Sequence, residues 1–261
     1  MLWPFLPERP EPIVDAHVHV YDDANVDVVL EAATRLGVRR LFTSCLGPPP
    51  LNYSPPAEDV RRFNEVVARA ASRYPEQFVG YCYVNPCHAE GALADFRRGI
   101  EEQALRGLKL WMACHCDDPR VFPIVEQAVV YGLPILIHAW SKVGGSLPTE
   151  SEAGHVAALA RRFPEARIVM AHMSGDWLVK LRLIRDCPNV HVDTSGIDPE
   201  EGQVETAVAM LGPSRVLFGS DIPIRDLASQ IAKILGAELD ETARRLVLHG
   251  NVERLIDAGA P

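Results

Sequence analysis

Apolar and polar positions alternate in two rhythms along the chain. Short runs rich in β-branched and apolar residues read as strands: IVDAHVHV from Ile13, RRLFTSCLG from Arg39, QFVGYCYVN from Gln77, GLKLWM from Gly107, PILIHAW from Pro134, ARIVMAH from Ala166, VHVDTSG from Val190 and RVLFGSD from Arg215. Between them lie segments whose apolar residues recur at three- and four-residue steps, as amphipathic helices require, among them VDVVLEAATRLG, AEDVRRFNEVVARAASRYP and HVAALARRFP. Gly or Pro follows several of these segments and marks their ends. The strand–helix unit averages about 33 residues, near the size of one unit in an eight-stranded barrel. An α/β class and a (β/α)8 TIM barrel follow. The competitor, an open doubly wound sheet, is weakened by the lack of any glycine-rich phosphate loop.

Residues 1–261 are expected to form one domain. Residues 1–12 (MLWPFLPERPEP) read as an N-terminal arm on the barrel; they are too short and too proline-broken for a signal peptide. The tail from Ala237 reads as two further helical pieces broken at Gly250. The longest connections follow the second and fifth strands, on the side where barrels carry their functional loops.

Composition narrows the function classes. Hydrophobic residues make up 48% and charged residues 23%, an ordinary globular balance. The net charge of −9 argues against nonspecific nucleic-acid binding and against anionic membrane surfaces. No apolar run reaches the roughly 20 residues of a membrane span, so a cytoplasmic protein acting on a small molecule is expected, with a homo-oligomer left open. Six cysteines in a chain this long read as reduced thiols rather than a disulfide framework.

The candidate chemistry sits at the strand ends. His17 and His19, two apart on one strand, project to the same face. Either a metal ion lies between them or they are core histidines held by carbonyls. Lys109 lies in the fourth run, His138 ends the fifth, His172 the sixth and Asp221 the eighth. In a barrel these ends converge on one mouth, where so many buried polar groups need partners. Singly, His138 reads as a core histidine, Lys109 as a rim lysine and Asp221 as a helix cap; as a set they point to a site. Trp111 and Trp140 share a face with Lys109 and His138 and are candidate stacking walls, with rim packing as the alternative. Arg225 is a candidate partner for a substrate carboxylate. Tyr21 and Trp177 are looser candidates. Cys114, His115 and Cys116 lie near the expected mouth, although C-x-C is not the spacing of a structural zinc site. His88, His155, His191 and His249 are assigned to structure or surface.

The segments DAHVH, GLKLW, PILIHAW, RIVMAHMSG, VHVDTSG, RVLFGSDIPI and LHGNVERLI, in this order over about residues 13–256, resemble the amidohydrolase superfamily. The resemblance is to the amidohydrolase-2 branch, which includes the aminocarboxymuconate-semialdehyde and resorcylate decarboxylases. It implies a distorted (β/α)8 barrel with a metal at the mouth, ligated by His17, His19, His138 and Asp221. It further implies that His172 contacts the metal-bound water, with Asp221 also acting as the base. One ion is favoured; two are implied if Lys109 is carboxylated and bridges them. Imidazoles with one carboxylate suit Zn2+ best, with Mn2+, Fe2+ or Co2+ as alternatives. The expected activity is hydrolysis of an amide, ester or lactone by a metal-activated water. The alternatives are nonoxidative decarboxylation of a small unsaturated or aromatic acid, and a barrel that binds metal or ligand without turnover.

Overall fold

A computed structural model describes residues 12–142 and 144–257. The expected N-terminal arm falls, apart from Pro12, outside the described residues. The chain begins with β1 (Ile13–His19), α1 (Asp23–Arg35), β2 (Val38–Ser44), α2 (Ala57–Arg73), β3 (Phe78–Gly80) and β4 (Cys82–Tyr83). It continues through α3 (Glu90–Glu101), β5 (Leu108–Leu110), α4 (Phe122–Val130), β6 (Pro134–Ile137), α5 (Ala153–Arg162), β7 (Arg167–Met170), α6 (Trp177–Ile184) and β8 (Val190–Asp193). It closes with α7 (Gln203–Leu211), β9 (Val216–Leu217), α8 (Leu227–Leu235), α9 (Glu241–Arg245) and α10 (Asn251–Asp257).

All strand pairs are parallel, in the orders β1-β2-β3 and β4-β5-β6-β7-β8-β9. The third sequence run forms both β3 and β4. Its backbone changes partner at Tyr81, whose amide donates to Thr43 O while that of Cys82 donates to Gly107 O. The seam after β9 closes on β1 through Ala16 N to Phe218 O (2.9 Å), Asp221 N to His17 O (2.8 Å) and His19 N to Ile222 O (2.8 Å). The result is a closed, distorted (β/α)8 barrel.

Two apolar layers hold it. Val14, Ala16, Phe42, Tyr81, Leu136, Val169 and Leu217 pack together inside the barrel. A larger cluster, with Val18, Leu41, Ile135, Ile168 and Val190 on the strands, fills the space beneath the helices. Burying one such side chain contributes about 1.5–3 kcal/mol. The tail differs from expectation at Gly250. The chain does not break there; a π-helical turn over Leu246–Gly250 joins α9 to α10 in one helical path. Asn251 opens α10 and donates to the carbonyls of Pro213 (2.7 Å) and Val216 (2.6 Å), pinning the tail to β9.

Candidate metal centre

β1 supplies two imidazoles because its pairing with β2 slips. The register shifts between Asp15 and Val18. Val14 and Ala16 join the interior cluster, whereas Val18 and Val20 join the outer one. The slip reverses the strand's alternation, so His17 and His19 take the interior face at the mouth. Asp221 follows β9 with φ at +63°, in the left-handed region. Its Oδ1 lies 3.3 Å from His19 Nε2 and 3.8 Å from His17 Nε2. The donor atoms of His17, His19 and Asp221 all lie within 4.8 Å of one another.

Each imidazole is held from outside. His17 Nδ1–H donates to Asp193 Oδ2 at 2.9 Å, and His19 Nδ1 pairs with Ser44 Oγ at 3.0 Å. Burial pushes His19 down to about 4, against the opposing pull of Asp221, so it is neutral at pH 7. His17 Nδ1–H donates to a carboxylate that can only accept, so its Nε2 keeps a lone pair at the mouth, 3.1 Å from His19 Nε2. A carboxylate that engages the far nitrogen in this way is what orients a metal-binding histidine. The donor set therefore fits a divalent ion. Lys109 reaches the same point from β5, its Nζ donating to His17 Nε2 at 3.0 Å. Burial lowers the lysine to about 8, although the Asp221 and Asp193 carboxylates pull the other way. Burial also raises the Asp221 carboxyl, but the bond from His19 and the surrounding imidazoles outweigh it and hold the group well below the usual range.

His172 stands in a short 3-10 turn (Ala171–Met173) after β7 with φ at +61°. Its ring is fixed by Asp193 and Ser195. His172 Nδ1–H donates to Ser195 Oγ (2.9 Å), and the hydroxyl in turn donates a hydrogen bond to Asp193 Oδ1 (2.5 Å). Asp193 Oδ1 also accepts the backbone amides of His172 and Ser195. His172 Nε2 is left with a lone pair and faces His138 Nδ1 at 3.3 Å. Gly196 makes this packing possible: with φ at +77°, a Cβ there would lie 2.2 Å from His172 Nδ1. His138, at the end of β6, turns Nε2 to Glu150 Oε1 at 3.0 Å. The structure thus gathers His17, His19 and Asp221 tightly; His138 is not in that close group but lines the same cavity, in contact with His172.

A cavity of about 230 Å³ opens over these groups. Trp111, Trp140, Lys109 and Arg225 line it, as do Tyr53, Lys142 and Glu150, which no sequence pattern singles out. Trp111 meets the Tyr53 ring edge-on at 5.3 Å, and Trp140 meets His172 at 5.1 Å. Arg225 pairs with Asp198 at 3.7 Å in a largely exposed contact of little energetic weight. A larger groove of about 770 Å³ between α7 and α8 carries Glu200, Glu201, Glu205 and Glu238 and gathers no comparable donor set.

Several other expectations are corrected. Cys114, His115 and Cys116 do not line the cavity. Both thiols are buried, and that burial pushes them up to about 12. His115 instead stacks on His155, with centroids 4.1 Å apart and planes 19° from parallel. These two histidines and Asp117 have donor atoms within 4.8 Å of one another. However, nearly parallel rings aim their in-plane lone pairs side by side rather than at one point, and His155 Nδ1 already accepts the Glu152 amide. Tyr21 and Trp177 are also outside the cavity lining, and Trp177 Nε1 donates to Glu200. Of the residues the sequence reading missed, Asp193 and Ser195 close the apolar run VHVDTSG, the same signal that marked His172. Glu150 sits in a loop with no periodic pattern.

A family model described as Amidohydrolase matches residues 14–257, and the chain belongs to that family, in its amidohydrolase-2 branch. The 2-amino-3-carboxymuconate-6-semialdehyde decarboxylase of Dictyostelium discoideum is 23% identical over 228 residues, which is 72% of this chain and 63% of that relative's length. Among solved structures, a 2,6-dihydroxybenzoate decarboxylase complexed with 2,6-dihydroxybenzoate superposes with a TM-score of 0.76 at 17% identity, covering 96% of this chain and all of that one. A dihydroxybenzoic acid decarboxylase from Polaromonas sp. JS666, with bound manganese and the inhibitor 2-nitroresorcinol, gives 0.72 at 15% identity, covering 96% of this chain and 98% of that one. These structural likenesses establish the shared fold. No helix among the described residues is long and apolar enough to cross a membrane.

Proposed function

We propose that the chain is a metal-dependent nonoxidative decarboxylase of a small unsaturated or aromatic carboxylic acid, with one divalent ion held by His17, His19, His138 and Asp221. The observation that carries the proposal is the convergence of His17 Nε2, His19 Nε2 and the Asp221 carboxylate, with donor atoms within 4.8 Å of one another. The aromatic walls and the volume of about 230 Å³ suit a single ring. The character of the relatives favours decarboxylation over hydrolysis of an amide, ester or lactone, which is supported only by membership of the superfamily. The imidazole-rich donor set suits zinc, and manganese is the ion bound in the Polaromonas neighbour.

Bound, the ion would neutralise the substrate's oxygens and polarise the group to be lost. The protein's own groups would move the proton. Asp221 is ionised at rest, so it takes a proton from the entering substrate or its water and returns it to the ring carbon that bears the carboxylate. The carbon–carbon bond then breaks, its electron pair returns to the ring and CO2 leaves. His172 Nε2, unprotonated and facing the mouth, accepts a hydrogen bond from a substrate hydroxyl and orients it. Trp111 and Trp140 hold the ring and exclude water.

The test is metal content on protein purified without added ions, followed by a panel of hydroxybenzoates and unsaturated acids read for CO2 against released acid. One ion per chain and CO2 release are expected. Acid release from amides, esters or lactones without CO2 would restore the hydrolase reading, and no turnover by the loaded protein would leave a binding barrel. Asp221→Asn is expected to lose about a hundredfold or more in rate, the scale of general acid–base removal.

A further inference from the structure

Glu150 lies in the loop between β6 and α5, yet it is only 3% exposed and reaches the mouth. Its carboxylate is fully engaged. Oε1 accepts from His138 Nε2 at 3.0 Å; Oε2 accepts from Lys142 Nζ at 2.7 Å and from the Leu147 amide at 3.0 Å. A neutral imidazole has one N–H. Because Glu150 can only accept, that N–H lies on Nε2 of His138, and Nδ1 keeps a lone pair. Nδ1 points into the mouth, 3.3 Å from His172 Nε2, which also carries a lone pair because Ser195 takes its N–H. The loop is itself anchored: Thr149 Oγ1 donates to Met112 O at 2.6 Å, and the Trp140 amide donates to Ser151 O at 2.8 Å.

We propose that Glu150 is a positioning residue that locks His138 with Nδ1 toward the cation, so that the loop carrying it sets the affinity of the mouth for a divalent ion. The proposal rests on the metal reading of the site given above. Lys142 and the Leu147 amide hold the carboxylate in place, so the loop and the histidine are ordered together.

The test uses Mn2+ as the probe, its free concentration followed by electron paramagnetic resonance, on wild type, Glu150→Ala, Glu150→Gln and His138→Ala. Removing an outer partner of a metal-bound histidine typically weakens binding about 10–100-fold, and Glu150→Ala is expected in that range. Glu150→Gln keeps an acceptor oxygen but loses the charge, and a smaller loss, about tenfold, is expected. Nitrogen-15 NMR of the Zn2+-loaded protein should show His138 protonated at Nε2 in wild type and no longer fixed in that form in Glu150→Ala. Folded Glu150 variants with Mn2+ affinity within about twofold of wild type would overturn the proposal. If the alanine variant does not fold, the isosteric glutamine variant decides by the same criterion. His138→Ala separates the two readings. If it binds Mn2+ as wild type does, His138 is not a ligand and the positioning role fails while the metal reading stands; if wild type itself binds no Mn2+, the metal reading fails. If it loses the ion while the Glu150 variants keep it, only the positioning role fails.

Discussion

The behaviour of the site turns on which nitrogen of each imidazole carries the proton. Ser195 settles this for His172 by accepting from Nδ1 while donating to Asp193. Ser195→Ala would remove both bonds and free the ring. We expect kcat for CO2 release to fall about 10–100-fold with a smaller change in KM, because an orienting group is lost rather than a binding surface. Equal kcat in the variant would remove Ser195 from the account. The imidazoles also make the metal-free fold sensitive to acid. Burial lowers His19 and His191 to about 4, and lowers His138 and His172 as well. As pH falls from the ordinary imidazole value of 6.5 toward 4, the unfolded chain takes up protons that the folded one refuses, so stability is present above that window and lost through it. Asp193 and Asp221, held below their ordinary value, act in the same direction at lower pH. Asp15 opposes them, since burial lifts it to about 7 and its contribution grows as pH falls below that. Several imidazoles against one carboxyl leave a net acid lability. The urea midpoint of the metal-free protein should be lower at pH 5 than at pH 7.5, and an unchanged midpoint would contradict the buried, neutral imidazoles.

At the level of elements, the seam between β9 and β1 carries the site, because it joins the strand of His17 and His19 to the turn of Asp221. Asp15 clamps that seam: its Oδ1 accepts the amides of His17 (3.1 Å) and Ser220 (2.9 Å). Asp15→Ala would strand two buried amides at about 1–3 kcal/mol each, so an unfolding free energy lower by about 2–6 kcal/mol is expected in denaturant titration. A loss below about 0.5 kcal/mol, the scale of a neutral surface change, would show that the clamp is not needed. The same seam shows what a sequence can and cannot reveal. The strands were legible because each is an apolar run, and the chemistry was legible because His138, His172 and Asp221 interrupt such runs at their ends. The slip in β1 was not. Strict alternation puts His17 and His19 on one face but does not say which, and the choice depends on pairing with β2. The partner change at Tyr81 and the π turn before Asn251 were hidden for the same reason: both are set by neighbours distant in sequence. Glu150 was invisible because a loop residue acquires meaning only when its loop folds over a strand end.

On the scale of the whole molecule, the charge at the mouth opposes the charge of the chain. The net charge is −9, yet Lys109, Lys142 and Arg225 all line the cavity, so a small anion meets cations at the one opening that holds the chemistry. In the metal-free state the lone pair of His17 Nε2 is met by Lys109 Nζ at 3.0 Å. An ion that binds only the folded state stabilises the fold by mass action, about 2.7 kcal/mol when its free concentration is a hundred times Kd. A domain of this size gains about 2–4 °C in Tm per kcal/mol, so a saturating ion should raise Tm by about 5–11 °C. Calorimetry on EDTA-treated protein with and without Mn2+ measures the difference, and His17→Ala is expected to abolish it. The proposed ligands come from β1, the residue after β6 and the turn after β9, so a shared ion would tie distant parts of the barrel together and the whole transition should move as one. A Tm that ignores Mn2+ in wild type would mean that these strand ends do not share a cation.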